Sequence, residues 1–314
     1  MSQNQSRHQT IGPLSVGNVV SAALVLYRSH LKQYLSIALR AYLWSFIPAL
    51  VFGPFLLLIT TQTIQPSASW LIVLILPLLF YCLAKFLTNS ALISRLAFCE
   101  LTNKPENTGT GRNHLKPYLW SFFKIAIRVG FSMLGVYVIL LFVISLTFGL
   151  LGFVLGLVLN NIFGSLFFSS ILGVVLIIVG IITLLFGLLR YFSRWIISEV
   201  PLAIEQEINS GQSVARSWEL TKNSVGRIQL IAVIAFLVTL PIIGITSYIP
   251  QIILIMVGQD SPFYWIVYSS SLLTGLVGGI LVLPFWQSIK AVLYYDLRMR
   301  REGLGMQLRD TNGQ

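Results

Sequence analysis

Apolar positions along this chain fall into two patterns. Uncharged runs occupy the stretches near 41–61, 69–84, 129–157, 162–189, 228–256 and 263–289, close to the ~20 residues a helix needs to cross hydrocarbon. Between them lie half-polar segments. In 15–37, Val16, Val20, Ala23, Tyr27, Leu31 and Tyr34 form one stripe at helical spacing, with Asn18, Ser21, Arg28 and Lys32 opposite. Segment 211–230 repeats the pattern with Val214, Trp218, Thr221, Val225 and Ile228, and 110–127 does so less regularly. A period near 3.6 predicts amphipathic helices. Aromatics on one face and Lys or Arg on the other suit a helix lying flat among lipid headgroups.

The two patterns alternate. Each amphipathic segment precedes an odd-numbered apolar run; a short turn follows, and an even-numbered run returns into a charged end: "SALISRLAFCELTNK", "RYFSRWIISEVPLAIEQE" and "SIKAVLYYDLRMRREG". "LYRSHL" at 26–31 also aligns with "LTKNSV" at 220–225, while the middle segment, with Pro117, is the least similar. The expected fold class is therefore an all-α integral membrane protein of six transmembrane helices. It forms a single membrane domain over 1–314, with three repeats of interfacial helix plus transmembrane hairpin. The units run about 11–105, 106–209 and 210–306, with tails at 1–10 and 306–314. Gly149 and Gly152 are expected to break or tilt the long third run.

Composition agrees: 56% of residues are hydrophobic, 10% are charged, and mean hydropathy is +0.82, where soluble domains carry about 25% charged residues. Charge placement adds orientation. The linkers 62–68 and 160–165 carry no charge and 257–262 only Asp260, whereas all 21 Lys and Arg gather on the other side. Positive charge marks the cytoplasmic side, which predicts both termini inside. No cleavable signal is visible in "MSQNQSRHQTIGPLSVGN". The net charge of +11 further predicts attraction to anionic lipid; its dispersal along membrane borders argues against nucleic acid. The candidate lipid-interface residues are Arg28, Lys32, Arg190, Arg194, Arg216, Trp218, Lys222, Arg227, Arg298, Arg300 and Arg301. Trp120, Trp195 and Trp218 fall at the inner border, Trp70 and Trp265 at the outer.

Chemistry-bearing patterns are sparse. Gly135, Gly149 and Gly156, and likewise Gly173, Gly180 and Gly187, are separated by multiples of seven, and Gly152 with Gly156 makes a small-xxx-small pair. Such stripes serve helix packing, a dimer face or a conduction path. Pro48, Pro54, Pro77, Pro241, Pro250 and Pro284 lie within apolar runs, yet none neighbours a buried charge, and Lys85 is near enough to an end to snorkel. A coupled carrier would place an ionisable group at depth. His8, His30 and His114 are scattered, Cys82 and Cys99 suit packing, and no hydrolase or phosphate-loop motif occurs. Glu199, Glu205 and Glu207 are expected to be solvated helix-end charges, and Asp296–Arg300 and Arg298–Glu302 are spaced as i,i+4 pairs. No catalytic residue, metal or cofactor is expected.

Two longer stretches carry a resemblance. "EVPLAIEQEINSGQSVARSWELTKNSVGRIQLI" sets an acidic residue and a spacer before Ser-Trp-x-Leu-Thr, and "LPFWQSIKAVLYYDLRMRREGLGMQLR" contains Tyr-Tyr-Asp-Leu-Arg-x-Arg-x-Glu-Gly. With "LSVGNVVSAALVLYRSHLKQYLSIAL", they resemble the membrane domain of glycerophosphoryl diester phosphodiesterases and its YciC-like relatives, most sharply over 199–222 and 287–305. In those enzymes the chemistry belongs to a separate soluble barrel that these 314 residues do not contain, so the resemblance implies a membrane module without catalytic residues. It also implies a bacterial plasma (inner) membrane or another internal bacterial membrane. The expected function is membrane organisation or partner docking at the cytoplasmic face, with anionic lipids and another membrane protein as partners. The alternative is a channel or lipid transporter along the glycine stripes.

Overall fold

The computed structural model describes residues 14–60, 71–163, 166–205 and 207–303, with side chains throughout except at 49, 52–60, 71–75, 163 and 166–168. His8, Trp70, the side chain of Pro54, the linker 62–68 and the tails 1–10 and 306–314 lie outside that description. Every regular element among the described residues is helical: α1 Val16–Ser29, α2 Leu31–Thr60, α3 Leu71–Leu101, α4 Thr108–Leu115, α5 Leu119–Phe163, α6 Leu166–Trp195, α7 Val200–Ile204, α8 Ser210–Thr221, α9 Val225–Ile243, α10 Ile249–Val257 and α11 Tyr264–Glu302. Among the described residues, five stretches are long and apolar enough to cross a membrane: Leu76–Leu101, Thr108–Ile162, Ser169–Ile204, Val225–Val257 and Tyr264–Glu302. The run expected at 41–61 falls largely within α2.

Local chemistry starts the short helices. Ser15 accepts from the Asn18 amide, and Asn107 from Gly109. Asn209 and Gln212 form a reciprocal capping box on α8. None of the amphipathic segments is one helix, which corrects the expectation for 211–230. The breaks come at His30, at the 3₁₀ turn Lys116–Tyr118 around Pro117, and at Lys222–Ser224. The turn closes through Lys222 N–H to Glu219 O at 3.2 Å and Ser224 N–H to Thr221 O at 3.0 Å. Asn and Ser are weak helix formers that compete for the backbone. "LYRSHL" and "LTKNSV" both straddle such a break.

Gly149 and Gly152 interrupt nothing: α5 continues through both for 45 residues, about 68 Å at 1.5 Å per residue. A helix that long exceeds the ~30 Å hydrocarbon layer, so its first turns belong to the charged end. There α5 contributes Leu119, Phe122 and Ile125 to the buried set. The main core sits at that end. Val19, Ala23 and Leu26 of α1 pack with Leu92 and Leu96 of α3, Ile228 and Ile231 of α9, and Ile289, Val292 and Tyr294 of α11. Further out, α5 and α6 present bare apolar surface, with Phe131, Phe142 and Phe153 70%, 66% and 66% exposed. Lipid tails are as apolar as these side chains, so no hydrophobic drive buries them.

Candidate functional site

The charged end is built where α6, α7, α8 and α11 meet. Pro201 starts α7 just after α6, and the corner is fastened by buried hydroxyls. Ser213 Oγ donates to Ser198 O at 2.6 Å and accepts from Leu202 N–H at 3.1 Å, while Ser217 Oγ donates to Arg194 O at 2.7 Å. This brings Glu199 to within 2.8 Å of Lys290 and Glu205 to 3.3 Å from Arg216. Tyr294 donates its hydroxyl to Glu205, Arg216 also pairs with Glu302, and Arg298 holds Glu302 at 2.8 Å. Lys290, Tyr294, Arg298 and Glu302 are each four apart and share one face of α11. Burial works against the charge on Arg216, but Glu205 and Glu302 outweigh it and push its pKa above the ordinary arginine value.

A second node surrounds Asp296, whose side chain is fully buried. Its carboxylate accepts from Leu14 N–H at 2.8 Å, Arg227 Nη1 at 2.5 Å and Arg300 Nε at 3.1 Å. Arg227 and Arg300 each donate a further bond to Leu14 O, at 2.5 and 2.8 Å. Arg95 joins α3 to the same region, pairing with Glu106 at 2.7 Å and donating to Ala203 O at 2.6 Å.

Several expectations change here. Glu199 and Glu205 are mostly buried ion-pair partners rather than solvated charges; only Glu207 is exposed. Arg216, Arg227, Arg298 and Arg300 bind carboxylates instead of standing free at a lipid surface. Arg301 donates to Glu219 O at 2.5 Å, and Arg194 stacks over Trp218 at 4.4 Å. Arg28, Lys32, Arg190 and Lys222 remain exposed without an ion pair among the described residues. The i,i+4 pairs form as spaced, at 3.1 Å for Asp296–Arg300 and 2.8 Å for Arg298–Glu302. Sequence reasoning missed Lys290 and Arg95; the four-residue repeat from Lys290 to Glu302 was the available signal. Lys85 does not simply snorkel: its ammonium lies over the Trp44 and Tyr81 rings at 5.7 and 5.3 Å.

Hollows open both away from this framework and beside it. An apolar cleft of about 410 Å³ runs between α5 and α6, lined by Gly149, Gly152, Gly173 and Gly180 with Ile144 and Leu176. Of the striped glycines, a methyl at Gly152, Gly180 or Gly187 would meet the neighbouring helix at 3.2, 3.3 or 2.9 Å, whereas Gly135, Gly149, Gly156 and Gly173 face open space. A cavity of about 270 Å³ among Leu87, Phe122, Val129 and Phe192 ends on the Glu199–Lys290 pair. A third hollow of about 500 Å³ opens beside Arg128, Trp195, Trp218 and Lys222. Among the described residues no three His, Cys, Asp or Glu converge to hold a metal.

No family of known proteins, no characterised protein and no solved structure matches this chain.

Proposed function

We propose that this chain is a non-enzymatic inner-membrane module of six helices, with both termini cytoplasmic. Three interfacial-helix-plus-hairpin units organise anionic lipid and dock a membrane partner at the inner face. One observation carries this reading. The two stretches that resemble the phosphodiesterase membrane domain, 199–222 and 287–305, close on each other through Glu199–Lys290, Glu205–Tyr294 and Arg216–Glu302. Glu199, Glu205, Arg216, Lys290 and Glu302 are engaged in holding the fold, while Arg28, Lys32, Arg190 and Lys222 stay free at its rim. Three helix breaks at corresponding places support the threefold organisation.

The test is neutralisation of the free cations alone, because substitutions at Arg216 and Arg227 would also break ion pairs that hold the fold. Replacing Arg28, Lys32, Arg190 and Lys222 by Gln should lower co-purification of anionic lipid, at about 1 kcal/mol per basic residue near the surface, with the melting temperature unchanged. Unchanged lipid content and unchanged partner recovery would refute the reading.

A second reading, a lipid-handling path, is favoured by the α5–α6 cleft. A Cβ added at Gly149 or Gly173, both of which line the cleft, meets no atom within 4 Å. Gly149→Leu with Gly173→Leu should abolish any lipid flux in reconstituted vesicles while leaving folding intact. Full flux in that variant removes the path.

A further inference from the structure

The 500 Å³ hollow has a chemistry of its own. Its walls are Arg128 of α5, Trp195 at the end of α6, and Gly211, Trp218, Glu219 and Lys222 along α8. Arg128 and Lys222 are exposed, and neither has an ion pair or side-chain hydrogen bond among the described residues. The guanidinium of Arg128 lies against the first turn of α8, where a methyl on Gly211 would stand 2.7 Å from its Nη1. Gly211 permits that approach. Asn209 Oδ1 already accepts from the Gly211 and Gln212 N–H groups at 2.9 Å, so the helix end is capped and the guanidinium itself is the charge left to attract an anion.

The aromatic walls are fixed. Trp195 and Trp218 pack at 5.6 Å, Arg194 covers the Trp218 ring at 4.4 Å, and its Nη1 donates to Trp218 O at 3.1 Å. The carboxylate of Glu219 also lines the hollow; Arg216 Nη1, 4.0 Å away, offsets part of its charge. One turn beyond Arg128 the bare apolar surface of α5 begins with Phe131 and Leu134, 70% and 55% exposed. A ligand that satisfied this geometry would carry an anion next to a long apolar chain, with its glycerol-sized middle against indole rings.

We propose that the hollow, with Arg128 at the start of α8 and Lys222 at its end, binds the headgroup of an anionic glycerophospholipid, with its acyl chains lying along α5 and α6. This rests on the lipid-organising reading and narrows it from a diffuse basic rim to one site. Arg128 and Trp195 are its new members.

The test uses the full chain, delipidated in detergent and titrated with phosphatidylglycerol, with lipid retention read by native mass spectrometry. Arg128→Gln with Lys222→Gln should weaken retention about tenfold or more, since each basic residue contributes a comparable factor. Arg28→Gln with Lys32→Gln, on the rim but outside the hollow, should leave it unchanged. Equal weakening in both variants overturns the site and leaves the broader lipid reading standing; no weakening in either overturns both. Displacement of the lipid by inorganic phosphate at equal concentration would assign the site to a soluble anion and overturn the lipid. Should the double variant fold poorly, brominated phosphatidylglycerol supplies an independent readout in the unaltered chain. It should quench a fluorescence component that Trp195→Phe with Trp218→Phe removes, and equal quenching after both substitutions overturns the site.

Discussion

Asp296→Ala is expected to be the most damaging single charge substitution in the chain. Its side chain is 0% exposed, while its partners Arg227 and Arg300 are 20% and 36% exposed. Removing one partner of a buried pair costs about 3–5 kcal/mol, because the other charge is left uncompensated. Here two guanidiniums and the Leu14 amide lose their acceptor together. Arg227→Met should cost less, since Arg300 still neutralises the carboxylate and water still reaches the rim. Asp296→Asn would place an amide N–H₂ toward the arginine donors and should behave almost like Ala. The node also ties the start of the described chain to α9 and α11, so the damage has a location. Thermal midpoints in one detergent should rank Asp296→Ala lowest, then Asp296→Asn, then Arg227→Met. Limited proteolysis of Asp296→Ala should cut first near Leu14. Cleavage elsewhere, or a midpoint within a degree of the parent, would show that the buried carboxylate is dispensable.

The same node marks what the sequence could reveal. The apolar runs, the segregation of charge and the pairs Asp296–Arg300 and Arg298–Glu302 were readable because each depends on spacing within one element. The partners of Asp296 were not, since Leu14 and Arg227 approach it from 282 and 69 positions away. Glu199 and Glu205 looked like solvated charges because they follow a membrane run, where water is normally at hand. Folding instead turns α7 and α8 back over α11 and leaves the two side chains only 18% and 19% exposed. The helix breaks had weak local signals in His30, Pro117 and Asn223–Ser224. Segments with one continuous hydrophobic stripe hide them, because the stripe reports a face and not its continuity. The hollow beside Trp195 was only half legible: Trp218 and Lys222 stood in an amphipathic segment, but Arg128 reaches it from another helix.

Glycine packing yields the second large effect. Seven-residue stripes selected α5 and α6, where four of the seven glycines face open space. The adjacent pair Gly278 and Gly279 in α11 has no stripe, yet its packing is far tighter. A methyl at Gly279 would fall on the Tyr42 ring, 2.8 Å from Cε1, and one at Gly278 would stand 2.7 Å from Thr246 Cβ in the π-helical turn Gly244–Tyr248. In a helix interior Gly→Ala gains about 1 kcal/mol from propensity, whereas overpacking costs roughly 1–3 kcal/mol. The sign should therefore differ by site: Gly149→Ala neutral or stabilising, Gly278→Ala and Gly279→Ala destabilising. The two losses should also respond differently to rescue. Tyr42→Ala removes the whole obstructing ring, so the Gly279→Ala penalty should vanish in that background. Thr246→Ala removes Oγ1 but retains Cβ, so the Gly278→Ala penalty should persist there and fall only with Thr246→Gly. Double-mutant cycles on thermal midpoints isolate these couplings. Equal behaviour of Gly149→Ala and Gly279→Ala would mean that α2 does not press on α11 where the ring of Tyr42 meets it.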